Sequence, residues 1–503
     1  MAQTAMGIDV ADGSTRVGRR IGRRSLPLYL CWAPPALLTL VLGVLGSNRP
    51  PMWGDELASW VAADRSVPQL VAMLRHIDGV YGVYYLFLHF WIGLFGDSAV
   101  SLRLPSALAM AGAAAFIALT GRKQFSGRAG LLAGLVFAVI PAVSRYSQEV
   151  RAYALVMCAV AASTWLLLRA LERPGVWRWF GYGVSVTFVG WFQLVALTVL
   201  LPHLLVILLQ YPRVRPGRRV LEFALTAGVA VLPVLPLVLL GRRQVGKQIS
   251  WISRPTPDSI PALWDAMYGP ALVALPVLVL AAMTLGWPSN RRRVVQVLLI
   301  GVVPVFAVYL VSLGGTSYFI ARYLMFTLIA WTVLAGAALA AVRPRFLGFV
   351  AIGLLGVASI SAQQGIRQPT DRVNYDERAA AAVVAAGYRP GDGLVVPHDR
   401  TIFDASIKFY LPDDVRPRDV FQAASPAEAS DLVTRNCPDP VACLGEEQRI
   451  WLVTLGGDLP QGAKEPYAQQ NLDKAQQDAL NSRYHVVKTT RVYNVWVTLM
   501  ERN

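Results

Sequence analysis

Two adjacent carboxylates, Asp55 and Glu56, stand in "MWGDELASW" (residues 52–60), just after the first long apolar stretch of the chain. Charged groups are costly in hydrocarbon, whereas indoles such as Trp53 and Trp60 favour the headgroup level. The stretch reads as the start of a helix that holds acids at the border between water and lipid. One acid can cap that helix. The other is then free to take a proton from an incoming hydroxyl, which is the work of a general base; Asp55 and Glu56 are both candidate catalytic residues, Asp55 first.

Three further segments carry groups that would complement such a base. "SRYSQEVRAYAL" (144–155) gathers Arg145, Tyr146, Gln148, Glu149, Arg151 and Tyr153 between two apolar runs. It reads either as a solvated turn closed by a Glu149–Arg151 ion pair or as a second polar wall facing Asp55, with Glu149 as a further catalytic acid. "GRRQVGKQISWISR" (241–254) holds Arg242, Arg243, Lys247 and Arg254, and "TSYFIARYLMF" (316–326) places Arg322 and Tyr323 at the mouth of a span. Guanidinium geometry suits phosphate. Arg322, Arg151, Lys247 and Arg243 are therefore candidate phosphate grips, with Tyr323, Tyr146 and His76 as further substrate contacts. The bland alternatives are a snorkelling Arg322 and plain solvation of the 241–254 cluster. Metal ligation by His76 and His89 has little support, and no metal or cofactor is firmly implied. The chain has no P-loop, no G-x-G-x-x-G and no H-E-x-x-H, so nucleotide-driven transport has no support.

These residues need a membrane to hold them. Of the 503 residues, 55% are hydrophobic and 16% charged, against about 25% charged in soluble domains. Apolar runs of bilayer-crossing length recur, and their continuity excludes a β-barrel. The net charge of +16 is uneven: residues 363–503 carry 16 basic and 19 acidic groups, so the excess lies in the first part. It falls in short clusters between apolar runs, as in cytoplasmic membrane loops, without any nucleic-acid-binding motif.

If "RVGRRIGRR" (16–24) and the clusters at 121–128, 172–178, 211–219, 289–293 and 343–345 all face the cytoplasm, eleven crossings follow. They fall near 26–46, 100–121, 129–144, 153–171, 179–192, 193–210, 220–240, 271–287, 294–313, 324–341 and 346–362. Residues 179–210 are read as two short helices meeting near Gln193. Residues 1–25 form a cytoplasmic tail, and 47–99 a long external loop in which "YGVYYLFLHFWIGLFG" (81–96) is an interfacial helix. Residues 363–503 read as a small extracytoplasmic α/β domain. It has a helix, turn and strand over 375–397, a strand at 449–456 and two strands over 484–500. An oxidising compartment permits a Cys437–Cys443 bridge there, whereas Cys31 and Cys158 read as packing residues.

External acids beside external phosphate grips point to glycosyl transfer from a polyprenyl-phosphate sugar. The order "GDE", "YYLFLHFWIGLFGDSAVSLRLPSALA" (84–109), "SQEVRAYAL" and "ARYL" also resembles the GT-C class of membrane glycosyltransferases. The closest group is the bacterial relatives of protein O-mannosyltransferases and of the lipid A aminoarabinose transferase. The similarity covers roughly 26–362. It implies a GT-C transmembrane domain of 11–13 helices, Asp55 as catalytic base, and Glu149 in the acidic region of the second external loop. The family's "HPPL" stands here as "HIDGVYGVYY" (76–85), which leaves acceptor recognition open. The expected protein is a multi-pass enzyme of the bacterial plasma membrane with an extracytoplasmic active site. It would be an inverting transferase passing mannose to a glycan, glycolipid or protein of the cell envelope. A polyprenyl-phosphate arabinose or pentose transferase is the second reading, and a lipid-linked sugar flippase the third. Transporters favour midplane charges and repeat halves, which this chain lacks.

Overall fold

The computed structural model describes residues 26–210, 216–398, 402–456 and 471–503. The basic stretch 16–24, much of 211–219 and the side chain of Lys247 lie outside the described residues.

The chain is a polytopic helical membrane protein. A helix falls on each of the eleven segments read from the sequence. Among the described residues six are long and apolar enough to cross a bilayer, or up to eight if each sharply bent pair is one span. The Ala99–Gln124 helix lies at the centre, packed against Leu28–Val44, Gly127–Val139 and Tyr153–Glu172. Ser98 caps it by accepting from the Ser101 amide at 3.2 Å, and Arg122 and Lys123 complement its last turn. Close packing here depends on small residues. A Cβ at Gly336 would sit 2.3 Å from the Ala133 nitrogen, so two helices meet backbone to backbone there.

Several helices are interrupted by breaks. Gly127–Val139 bends by 69° into Pro141–Ser147, where Pro141 cannot donate to the ladder. The Val176–Phe192 helix stops at Gln193, which is extended (φ −163°, ψ 114°), and the chain resumes in a 3₁₀ turn over Leu194–Val199. The expected meeting point near Gln193 is thus a real interruption of the helix.

The loop after the first helix carries three helices, Gly54–Ala63, Val67–Leu74 and Gly82–Phe95. The last has two faces: Tyr84, Tyr85 and Leu88 are buried while Phe90, Leu94 and Phe95 are exposed. The exposed face is as apolar as the buried one, so it suits contact with lipid rather than with water.

Residues beyond the Leu347–Gly365 helix form an α/β unit. Its sheet runs in the order Arg418–Asp419, Gly393–Val395, Arg449–Leu455, Val495–Arg502, Tyr484–Val492. The first three strands are parallel (Gly393 opposite Ile450) and the last two antiparallel, forming the terminal hairpin. Glu377–Gly387 and Phe403–Tyr410 cover one face through Ala380, Val384, Phe403 and Ile407. Cys437 and Cys443 are bridged. This unit docks on the 47–99 loop: the Tyr410 hydroxyl accepts from the Met52 amide at 2.8 Å, Arg378 donates to the Asn48 carbonyl at 3.0 Å, and Trp60 meets Phe409 edge to face.

Candidate active site

The two carboxylates of the first motif sit in the first turn of the Gly54–Ala63 helix and point to different places. Successive helical residues are turned by about 100°. One therefore faces inward and the other faces a cavity.

Glu56 faces inward and is fully buried. It accepts from Arg103 Nε at 2.9 Å and Nη2 at 2.7 Å, from Arg372 Nη1 at 2.6 Å and from the Val150 amide at 3.0 Å. Arg103 also donates to the carbonyls of Ser47, Pro50 and Pro51. Burial alone would push the Glu56 carboxyl up, but Arg103 and Arg372 outweigh it and hold the carboxyl at about 2. The expectation that Glu56 shares in catalysis meets a side chain whose oxygens are already occupied, so its place in the fold is that of a latch.

Asp55 faces a cavity of about 580 Å³. Its Oδ2 lies 3.7 Å from Arg151 Nε and 3.5 Å from Arg322 Nη1, and makes no hydrogen bond with the described residues. The Nε of each arginine is likewise without a hydrogen-bond partner among the described residues. Both guanidiniums are oriented by other means. Arg151 donates to the Tyr85 hydroxyl at 3.1 Å and lies over the Tyr81 ring at 4.4 Å. Arg322 lies over the Trp251 ring at 5.0 Å. The result is one carboxylate and two guanidiniums, aligned but not closed into contact.

All four sequence segments reach this cavity, though not always through the expected side chain. The first supplies Asp55, the second Arg151, the third Gln248 and Trp251, and the fourth Arg322 and Tyr323. The alternative ion pair Glu149–Arg151 is absent: Glu149 pairs with Arg145 at 2.5 Å, and Arg151 lies toward Asp55 at 3.7 Å. Glu149 is buried away from the cavity, and its burial raises its carboxyl. Tyr146 packs edge to face on Tyr153 and does not line the cavity. Arg243 and His76 are exposed outside it.

Sequence reasoning missed Asp78, Gln248, Tyr81 and Arg372. Gln248 and Trp251 lie inside the third segment but carry no charge, the property by which that segment was read. Asp78 lies in "HIDGVYGVYY", the stretch that departs from the family pattern. The outer wall comes from the C-terminal unit through Tyr375, Ile402 and Leu432.

An apolar pocket of about 420 Å³ adjoins the polar cavity, lined by residues such as Phe192, Leu194, Val238 and Val308. The two share Val80, Tyr81, Gln248, Ile249 and Tyr323. The break at Gln193 opens the helix wall of the apolar pocket, since Gln193, Leu194 and Val195 all line it.

Residues 83–239 match the family model described as dolichyl-phosphate-mannose-protein mannosyltransferase. That stretch includes Glu149 and Arg151 but not Asp55. No curated protein matches the chain. Among solved structures, the fold is similar to that of ArnT from Cupriavidus metallidurans crystallised with undecaprenyl phosphate. The TM-score is 0.63 at 13% identity, covering 93% of this chain and 97% of that one. The apo form of the same protein gives 0.62 at 12% identity with the same coverage. The family model thus matches part of the chain, and over nearly all of its length the fold is similar to that of ArnT.

Proposed function

We propose that this protein is an inverting glycosyltransferase that moves a sugar, mannose first among candidates, from a polyprenyl-phosphate donor to an acceptor hydroxyl outside the cytoplasm. One observation carries the reading. A carboxylate oxygen with no hydrogen bond sits between two guanidiniums, in a polar cavity that shares a wall with an apolar one.

Each part then has a task. The apolar pocket takes the first units of the prenyl chain. Arg151 and Arg322, which lie 3.7 and 3.5 Å from the Asp55 carboxylate, take the phosphate. Asp55 removes the proton from the acceptor hydroxyl, and the oxygen attacks the anomeric carbon on the face opposite the phosphate. The carbon–oxygen bond to phosphate breaks with its electron pair staying on the phosphate. The donor, a phosphodiester with one negative charge, becomes a monoester with two. The arginines are worth most where that second charge grows. A single displacement inverts the anomeric centre.

The undecaprenyl phosphate bound to ArnT supports a polyprenyl carrier, and the mannose in the family description supports the sugar. The acceptor is a glycan, glycolipid or protein of the bacterial cell envelope, with the C-terminal unit on the same outer side. The experiment is to give purified protein in nanodiscs a polyprenyl-phosphomannose labelled in the sugar, together with envelope extract. Acceptor-dependent release of polyprenyl phosphate and an inverted linkage are expected. Movement of intact donor across the bilayer without cleavage would instead make the protein a transporter. Faster cleavage of a polyprenyl-phosphoarabinose would reassign the sugar to a pentose.

A further inference from the structure

The polar cavity holds a second carboxylate that the mechanism above does not use. Asp78 lies between the Val67–Leu74 and Gly82–Phe95 helices and lines the cavity together with Asp55. Its backbone is left-handed (φ 56°, ψ 24°), a conformation that costs most non-glycine residues roughly 1–2 kcal/mol. Its side chain is held from two directions. Oδ2 accepts from the Tyr85 hydroxyl at 2.6 Å, and Oδ1 from Gln248 Nε2 at 3.0 Å. Tyr85 is the residue to which Arg151 donates, so one hydrogen-bonded chain joins the phosphate grip to this acid.

The loop around Asp78 is clamped as well. One turn earlier on the helix that carries Gln248, Gln244 accepts from the Gly79 amide at 2.8 Å and donates to the Leu74 carbonyl at 2.9 Å. A carboxylate is not needed for any of these contacts. Asparagine tolerates the left-handed region well, can accept from the same tyrosine and, once Gln248 turns its amide over, donate to the same glutamine, and costs less to bury. Asp78 is nine-tenths buried and has no ion-pair partner within 4.0 Å among the described residues. Burial pushes its carboxyl upward, against Arg151, Tyr85 and Gln248 and with Asp55 adding to the rise. A charge that the fold itself does not require, rigidly held and facing the reaction cavity, is there for a ligand.

We infer that Asp78 is the sugar-recognising carboxylate of this site, accepting hydrogen bonds from hydroxyls of the donor sugar. An ionised carboxylate offers about four lone-pair positions. Tyr85 and Gln248 use one on each oxygen, which leaves one on each for the sugar. The residue is thus a specificity determinant, separate from the phosphate grip and the base. This inference rests on the donor reading given above.

The test measures binding of two ligands separately, a polyprenyl phosphate and the same lipid carrying mannose, by wild type and Asp78→Asn in nanodiscs. Hydrogen bonds to a charged group contribute about 1.5–3 kcal/mol. The sugar-bearing lipid should therefore lose roughly 10- to 100-fold in affinity in Asp78→Asn, while the bare lipid binds unchanged. Mannose donors lacking one hydroxyl should bind wild type more weakly than the full donor, and the hydroxyl that contacts Asp78 should make no difference to Asp78→Asn. Equal weakening of both ligands, or no weakening of either, would reduce Asp78 to a loop cap. Failure of wild type to bind the bare lipid at all would instead remove the donor reading.

Discussion

Asp55 and Glu56 are neighbours in one helical turn, yet the clusters around them are built to different tolerances. Glu56 is met by two arginines and an amide at 2.6–3.0 Å, with no exposure. Asp55 is approached by two arginines at 3.5 and 3.7 Å, is a quarter exposed and has an oxygen with no hydrogen bond among the described residues. The first cluster is complete without a ligand, and its completeness fixes the loop, the central helix and the start of the C-terminal unit together. The second is short of contacts that a substrate would supply. Satisfied buried charges hold structure, whereas aligned but unmet ones are preorganised for a charge that arrives later.

The contrast breaks most visibly at the latch. Removing one partner of a buried pair costs about 3–5 kcal/mol, a large share of the roughly 5–15 kcal/mol that holds a domain. Arg103→Ala or Glu56→Gln should therefore lower the melting temperature and the yield of folded protein. Folded protein that melts like wild type would show that Glu56 is not a latch. The pH dependence has a defined sign. The folded carboxyl lies at about 2, below its ordinary value. Its contribution is present above the ordinary carboxylate range and is lost as pH falls from there toward 2. The latch should hold down to about pH 5 and weaken below.

A smaller effect is expected at the grip. Arg322→Ala should slow donor cleavage by about 10²-fold and raise the donor KM, since the phosphate is held in both ground and transition states. Melting should not change. A fall in stability without a kinetic change would place Arg322 with the structural group.

Glu377 gives a test in the C-terminal unit. It is buried, neither carboxylate oxygen meets a hydrogen-bond partner from another of the described residues, and burial raises it to about 8. With the folded value above the unfolded one, stability is full below the ordinary carboxylate range and falls as pH rises toward 8. Glu377→Gln should flatten that slope and stabilise the unit at pH 7 by at most about 3 kcal/mol. An unchanged pH profile of melting would mean that Glu377 reaches water. The smallest expected effect is that of a chelator. With two arginines assigned to the phosphate charge, excess chelator should leave donor cleavage unchanged. A loss restored by Mg²⁺ or Mn²⁺ would assign Asp55 and Asp78 to a cation instead.

Much of this arrangement was legible in the sequence, because hydropathy fixes where helices fall and charge fixes which helix ends stand out. The break at Gln193 was read from about 32 apolar residues between two basic clusters placed on the same side, which asks for two crossings where length alone also allowed one long tilted helix. The division of labour between Asp55 and Glu56 was not legible. A ten-residue helix begun by both acids has too few turns to tell which one faces in, and the deciding partner, Arg372, lies 316 residues away. Arg103 stood in plain view in "SLRLPSA" but read as part of an apolar run. Asp78 reaches the cavity through a left-handed backbone that no periodicity announces, and Gln248 through hydrogen bonding without charge.

The central claim is that the open cluster, not the closed one, does the chemistry. Asp55→Asn keeps the shape and removes the proton acceptor, so single-turnover cleavage of a labelled polyprenyl-phosphate sugar by the purified variant is the direct measurement. The account predicts a rate lower by about 10²–10⁴-fold, with the melting temperature unchanged and bare polyprenyl phosphate bound at least as tightly as by wild type. Cleavage at the wild-type rate would contradict it.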